Sequence, residues 1–280
     1  MTSPAPTSLS PLTPSFVLKT GAVLLLGLWV GKELLAINEI VGQLLLTLTI
    51  AFQLYVPYVL YQRAGLDPEQ EGLHVHGLIL GPIASLRRIV VNGRRRKKLW
   101  AMLFIKPIRQ WLASHGRHAQ FRPTPFLRDF KRALFFMGIT FPPFAVGHHY
   151  FQLYMAKQEM VFELQMPPDF LAFIVFQILL VALPEELFYR GFMLGALLRW
   201  WPNERTICGI PVGKAVLVSS IYFALAHFVG EYNILRLGPF FPAFLFAYLR
   251  MRGASIFGAI TFHACSNIFS QILFVGYHAQ

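Results

Sequence analysis

Long runs of apolar residues, separated by short polar segments, dominate the pattern of this chain from residue 16 onward. A helix that crosses a bilayer needs about 20 predominantly apolar residues. The runs that reach or approach this length cover residues 16–36, 40–62, 133–156, 169–199, 213–230, 237–249 and 254–276. The pattern predicts an all-α, polytopic membrane helical bundle with about seven transmembrane helices.

Three of these runs differ from a simple apolar span. Residues 16–36 form a weak one, with charged residues near both ends, where long side chains can reach the interface. Residues 237–249 are short, and their length fits a tilted or half-buried helix. The run at 133–156 contains Pro142–Pro143, which predicts a bent or broken helix.

The remaining segments divide the chain. Residues 1–15, rich in Ser, Thr and Pro, predict a disordered tail. A transmembrane hairpin follows at 16–62, then a basic loop at 63–132 and a membrane core at 133–280. Within the loop, 99–115 mixes aromatic and aliphatic residues with Lys and Arg, which suits an interfacial helix lying on the membrane or a partly buried loop helix.

The composition supports a membrane protein. Hydrophobic residues make up 55% of the chain and charged residues 14%, against about 25% charged residues in soluble domains. This excludes a disordered chain and argues against an ordinary soluble enzyme. The two cysteines form no CxxC motif, so neither a zinc finger nor a thioredoxin-like site is indicated.

The net charge of +12 is concentrated in one segment. Residues 63–134 contain 15 basic and four acidic residues. A basic protein can bind nucleic acid, but here the excess lies between apolar spans. The positive-inside tendency therefore predicts a cytoplasmic loop that contacts anionic lipid, with no nucleic-acid partner.

Two acids and a base lie inside the apolar run at 169–199, where ionisable groups are costly. Glu186 and Arg190 are four residues apart, so they share a helix face and can form an ion pair. Glu185 points about 100° away and has no partner in its own turn. Glu186 is thus predicted to be structural and Glu185 free to act as a base. The alternative is that both acids end a helix near water, with Pro184 marking the break.

Two further polar patterns occur in later spans. Phe223 precedes His227 by four residues, and His263 precedes Asn267 by four, so each pair shares a helix face. A lone buried histidine is more often a satisfied core residue, and an asparagine often holds a helix contact. Together with the acids, however, these residues predict one shared polar cavity.

In this order, Glu185-Glu186-x-x-x-Arg190, Phe223-x-x-x-His227 and His263-x-x-x-Asn267 resemble the three-motif signature of the CAAX-protease and bacteriocin-processing (CPBP, or ABI) family of intramembrane proteases. The resemblance covers about residues 169–276, whereas the first 130 or so residues carry none. It implies hydrolysis of a peptide bond inside the membrane. With the charge pattern, it also implies a multi-pass protein of the bacterial inner (plasma) membrane.

The resemblance also implies roles for individual residues. Glu185 is the expected general base, and His227 assists the activation of water. His263 and Asn267 are expected to donate hydrogen bonds to the oxyanion of the tetrahedral intermediate, where such donors contribute about 3 kcal/mol each. The supporting residues are Glu186, Arg190 and Phe223.

No cofactor is expected. The alternative is a metalloprotease in which Glu185, His227 and His263 bind Zn²⁺ as a His₂Glu set. The chain has no HExxH motif, which argues against the usual zinc-protease geometry. His148 and His149 fall outside the three motifs and are interpreted as cavity or interface residues near the external end of their helix.

The leading functional hypothesis is an intramembrane endopeptidase that cuts near the C-terminus of membrane-associated proteins or peptides. The substrate class stays open between a CAAX-like prenylated tail and a C-terminal sorting signal of the kind that myxosortases process. A non-hydrolytic immunity or scaffold protein using the same cavity is a second hypothesis. A small transporter with a Glu/His proton relay is a third, and it predicts inverted repeats, which the sequence does not show.

Overall fold

The computed structural model describes residues 12–74, 123–156, 161–202, 205–207, 209–253 and 255–278. The chain divides into two compact units, Met1–Leu73 with Asp129–Gln280, and His74–Arg128. The described part of the second unit consists of His74 and the first residues of one helix. The predicted interfacial helix at 99–115 lies outside the described residues, as does most of the basic loop.

Helices form nearly all of the regular structure in the described residues. The long helices are α1 (Pro14–Ile37), α2 (Glu39–Arg63), α3 (Pro123–Ala156), α4 (Phe170–Leu198), α5 (Lys214–Glu231), α6 (Phe240–Gly253) and α7 (Phe257–His278). A 3₁₀ turn, Ile234–Leu237, precedes α6. A small antiparallel hairpin of β1 (Thr206–Ile207) and β2 (Ile210–Pro211) joins α4 to α5 and was not predicted.

Six of the helices are long and apolar enough to cross a membrane, and the prediction of a polytopic helical bundle is confirmed. They include α1, the weak span of the sequence pattern, and α6 together with the turn before it. The one predicted span that is not among the six is residues 133–156, in α3, because prolines and histidines interrupt its apolar residues. Pro142 and Pro143 do not break this helix, which is continuous over 34 residues.

The predicted tail at 1–15 is too long by a few residues. Helix α1 begins at Pro14, a favoured residue for the first turn, and the side chain of Thr13 accepts a hydrogen bond from the Phe16 N–H. Leu12 is buried, and its carbonyl accepts a hydrogen bond from the Trp200 indole N–H (2.8 Å). The residues just before α1 are therefore anchored to the end of α4.

Helices α1 and α2 form the predicted hairpin with a single residue between them. Asn38 is extended, ends α1, and caps α2 by accepting a hydrogen bond from the Val41 N–H (3.1 Å). A Cβ atom at Gly42 would lie 2.5 Å from the Leu35 backbone, so only glycine allows this approach. Small residues at such contacts are typical of membrane helix pairs.

Helix α4 carries the acidic motif and is not a regular α-helix. Two π-helical stretches, Gln177–Ala182 and Leu187–Leu194, flank the single α-helical turn Leu183–Glu186. Pro184 lies in that turn and cannot donate a backbone hydrogen bond. Wide turns of this kind are rare and frequently occur at functional sites. The break suggested by Pro184 does not occur, since α4 continues through it.

The two halves of α4 have different surroundings. Its first half presents exposed apolar side chains such as Leu171 and Leu179, as expected for a lipid-facing surface. Every residue of Leu187–Leu194 is buried. Helix α2 supports this buried half, because the fully buried Tyr61 hydroxyl donates to the carbonyls of Gly191 (3.2 Å) and Phe192 (3.3 Å).

We expect Tyr61→Phe to lower the stability of the folded protein by about 1 kcal/mol, since it removes a buried hydrogen bond to the wide turn of α4. Thermal unfolding in detergent measures the effect. Tyr55→Phe is the matched control, because Tyr55 lies on the same helix, is largely exposed and forms no hydrogen bond in the described structure. Equal unfolding temperatures for the two variants would contradict this role.

Candidate active site

The carboxylate of Glu186 forms the centre of the site. Its Oε1 atom lies 2.9 Å from Nδ1 of His263 and 3.1 Å from Nη1 of Arg190. All three side chains are almost completely buried. Such burial is tolerable for a carboxylate only when a counter-charge and a hydrogen-bond donor are supplied. The predicted pair of Glu186 and Arg190 is present, and His263 of α7 joins it.

His263 connects the two adjacent glutamates. An ionised carboxylate only accepts hydrogen bonds, so Nδ1 of His263 donates its proton to Glu186. This arrangement directs the other ring nitrogen, Nε2, toward Glu185, whose Oε2 atom lies 3.7 Å away. The Glu185 side chain is 21% exposed, against 0% for Glu186. Glu185 is thus the more accessible of the two acids.

Two aromatic rings enclose the charged group. The guanidinium carbon of Arg190 lies 4.0 Å from the centre of the Phe223 ring and 4.8 Å from that of Phe246. Phe246 also stacks on His263, with ring centres 4.8 Å apart and planes 15° from parallel. The contact between Nη1 of Arg190 and Glu186 is an ion pair without hydrogen-bond geometry, and neither Nη atom forms a hydrogen bond in the described structure. Cation–π contacts and the charge of Glu186 therefore hold the guanidinium.

His227 is connected to the site by its contacts with Phe223. Its Nδ1 atom donates to the Phe223 carbonyl (2.9 Å), which leaves Nε2 as the available nitrogen of a neutral ring. The two rings are 4.6 Å apart. Both His227 and Glu185 are described, and neither a hydrogen bond nor an ion pair joins them. The closest imidazole partner of Glu185 is His263 of α7.

Asn267 lies one turn beyond His263 on α7 and has a partner on α4. Its side-chain amide donates a hydrogen bond to Oε1 of Gln177 (2.9 Å). Gln177 is the first residue of the first π-helical stretch and is half-buried. The sequence analysis did not single it out.

The structure brings most of the predicted residues together. Six of them contact one another in a connected group: Glu185, Glu186, Arg190, Phe223, His227 and His263. Asn267 lies on the same helix and is engaged by Gln177. Phe246 and Gln177 were missed. Gln177 was detectable as the one amide in an otherwise apolar run, whereas Phe246 is indistinguishable from the other phenylalanines of its span.

The described residues contain no group of three His, Cys, Asp or Glu side chains arranged to hold a metal ion. The alternative ligand set of Glu185, His227 and His263 therefore does not converge on one point. His148 and His149 lie elsewhere: Gln152 donates to His148 (3.2 Å), and His149 hydrogen-bonds the Tyr277 hydroxyl of α7 (2.6 Å). The His148 ring also lies 5.5 Å from the Tyr277 ring, so both histidines contact α7, which fits their interpretation as interface residues.

Fold and site together define a multi-pass integral membrane protein with a buried glutamate–histidine centre. Residues 167–269, which include all three motifs, match the family model described as "Rce1-like: Type II CAAX prenyl endopeptidase Rce1-like". The resemblance to the CAAX-protease and bacteriocin-processing family is thereby confirmed, and this family indicates a protease. No curated protein and no solved structure matches the chain.

We expect Glu186→Gln to destabilise the protein strongly, by about 3–5 kcal/mol, because the substitution leaves Arg190 as a buried charge without its counter-ion. The loss appears as a reduced amount of folded protein in membranes and a lower unfolding temperature in detergent. Glu163→Gln, at an exposed acid outside the spans, is the control and should have no effect.

A second substitution separates charge from packing. Arg190→Met in the Glu186→Gln background removes the unpaired charge and should recover part of the stability. If the single variant is as stable as the unmodified protein, the ion pair does not have the structural role assigned to it.

Proposed function

We propose that this protein is an intramembrane endopeptidase, located in the plasma membrane of a bacterium, that hydrolyses a peptide bond near the C-terminus of membrane-associated polypeptides. One observation carries the proposal: Oε2 of the partly exposed Glu185 side chain lies 3.7 Å from a histidine that a buried acid holds in place. The family match to CAAX prenyl endopeptidases supports it.

Glu185 is the proposed general base. Glu186 is unsuitable, because Oε1 already contacts Arg190 and His263 and the side chain has no exposed surface. The Glu185 side chain is partly exposed, and its buried Oε2 atom accepts no hydrogen bond in the described structure. A carboxylate in this position can take a proton from water, a step that typically contributes about 10²–10⁴-fold to the rate.

In the proposed reaction, water loses a proton to Glu185 and attacks the carbonyl carbon of the scissile bond. The carbonyl oxygen becomes an oxyanion, which N–H donors stabilise. Asn267 of α7 is the candidate neutral donor. His263 and His227 already donate from Nδ1, so each can donate from Nε2 only when that nitrogen is protonated as well. Glu185 then gives its proton to the leaving nitrogen as the C–N bond breaks, and the enzyme returns to its initial state.

We propose one change to the roles inferred from the sequence. His227 was expected beside the base, yet the imidazole next to Glu185 belongs to His263. We therefore assign His263 to the water and the oxyanion together. His227, whose Nδ1 donates to the Phe223 carbonyl, is assigned to the far side of the reacting carbonyl.

Glu185→Gln tests the proposal, because it preserves size and removes the base. We expect the variant to fold normally and to lose at least about 10²-fold in turnover. Terminal-peptide mass spectrometry of membrane proteomes, at matched protein levels, should show uncut precursors only in cells with Glu185→Gln. The accumulated termini would distinguish a prenylated tail from a sorting signal. If the termini are identical in both cell types and a polypeptide co-purifies with both proteins, the protein is a binding protein and not a protease.

We also propose that catalysis needs no metal, which the separation of the candidate ligands and the absence of HExxH support. Cleavage of a farnesylated fluorogenic peptide with a CAAX-type tail should continue at an unchanged rate in 1,10-phenanthroline. The metal content of the purified protein should remain well below one atom per chain. Activity that the chelator abolishes and zinc restores would establish the metalloprotease alternative.

A further inference from the structure

A single amide interrupts the apolar first half of α4. Gln177 lies within the run FLAFIVFQILLVAL, between the exposed residues Phe176 and Ile178, yet it is itself half-buried. A polar side chain in such a span is costly unless it finds a partner. Its partner is Asn267 of α7, whose amide nitrogen lies 2.9 Å from Gln177 Oε1.

The chemistry of this pair resembles that of an enzyme with its substrate. The end of a glutamine side chain is a carboxamide, the same functional group as a peptide bond. Its carbonyl oxygen accepts the hydrogen bond that Asn267 is proposed to give to the carbonyl of the scissile bond. The amide of Asn267 has two N–H groups, and Gln177 occupies one of them. A substrate that uses the occupied N–H must displace Gln177.

We propose that Gln177 is a placeholder that occupies the Asn267 amide until the carbonyl of a substrate peptide replaces it. The inference rests on the proposed function, since it takes Asn267 as part of the oxyanion site. In the free protein, Gln177 satisfies a donor that would otherwise face an apolar environment. In the complex, its displacement opposes binding, so Gln177 sets the affinity for the substrate.

The position of Gln177 on the helix suits such an exchange. It begins the π-helical stretch Gln177–Ala182, at the edge of the lipid-facing surface of α4. A side chain there can leave the interior without unfolding the buried half of the helix, which begins at Leu187. Because Gln177 lies before Glu185 on α4, a substrate that enters at this edge meets Gln177 first.

A purely structural hydrogen bond between α4 and α7 is the competing explanation, and the two differ in what they predict. Such bonds in membrane proteins contribute only modestly to stability. If the bond is only structural, its loss lowers stability and leaves peptide affinity unchanged. If Gln177 is a placeholder, its loss tightens peptide binding.

The experiment measures binding in the Glu185→Gln background, where the peptide is not cut. The probe is a fluorescent peptide with a farnesylated CAAX-type tail, titrated into protein in detergent. We expect Gln177→Met, which preserves length and removes the amide, to lower Kd by about tenfold. Gln177→Leu provides a second variant if the first does not fold. Equal affinity with and without Gln177, including no measurable binding by either protein, overturns the proposal.

Two controls test whether the change in Kd comes from releasing the Asn267 amide. Leu179→Ala shortens an exposed side chain of the same stretch and should leave Kd unchanged. In the presence of Asn267→Ala, the effect of Gln177→Met should disappear, because no donor remains to be released. A gain in affinity that persists without Asn267 would mean that Gln177 acts by its bulk, and would contradict the placeholder role.

The result of this binding experiment is independent of the test of the proposed function. Cleavage by the unmodified protein and its loss in Glu185→Gln establish hydrolysis, whatever the affinity of the Gln177 variants. Conversely, a protein that cuts the peptide but binds it equally well without Gln177 remains a protease in which this inference is wrong.

Discussion

The buried carboxylate of Glu186 is the constraint on which the rest of the site depends. A charge with no exposed surface inside a membrane bundle requires compensation from several directions. Arg190 supplies the counter-charge from the same helix, and His263 supplies a hydrogen bond from α7. Phe223 and Phe246 enclose the guanidinium from α5 and α6. Four helices are therefore fixed relative to one another by the need to neutralise one acid.

The irregular backbone of α4 makes this arrangement compatible with a continuous membrane helix. Pro184 removes one backbone donor immediately before the two glutamates, and π-helical turns on both sides keep the chain helical. Carbonyls of the second wide turn accept hydrogen bonds from the Tyr61 hydroxyl of α2. The N-terminal hairpin, which lies outside the segment that matches the family model, thus supports the backbone that presents Arg190.

Much of the site was predictable, because ionisable residues in apolar spans are few and their spacing is informative. The i, i+4 relation predicted the pair of Glu186 and Arg190, and the helix geometry separated Glu185 from it. Sequence could not predict which histidine faces Glu185, since that depends on how α5 and α7 are rotated in the bundle. It also missed Phe246, because packing alone distinguishes it. Wide turns have no sequence signature, so the alignment of Gln177 with Asn267 was equally inaccessible.

The two neighbouring glutamates differ in burial, and this difference matches their proposed division into a structural and a chemical role. Adjacent residues on a helix point about 100° apart, so one side chain can be enclosed while the other stays partly exposed. Glu186 has no exposed surface and organises the bundle, whereas Glu185 retains 21% of its exposure. His263 contacts both and links the orientation of Glu185, the proposed base, to the stability of the fold. The same imidazole contacts both acids. A substitution of Glu186 that removes its hydrogen bond to His263 therefore also changes the position of the imidazole beside Glu185. Loss of activity in Glu186 variants therefore needs no direct contact between Glu186 and the substrate.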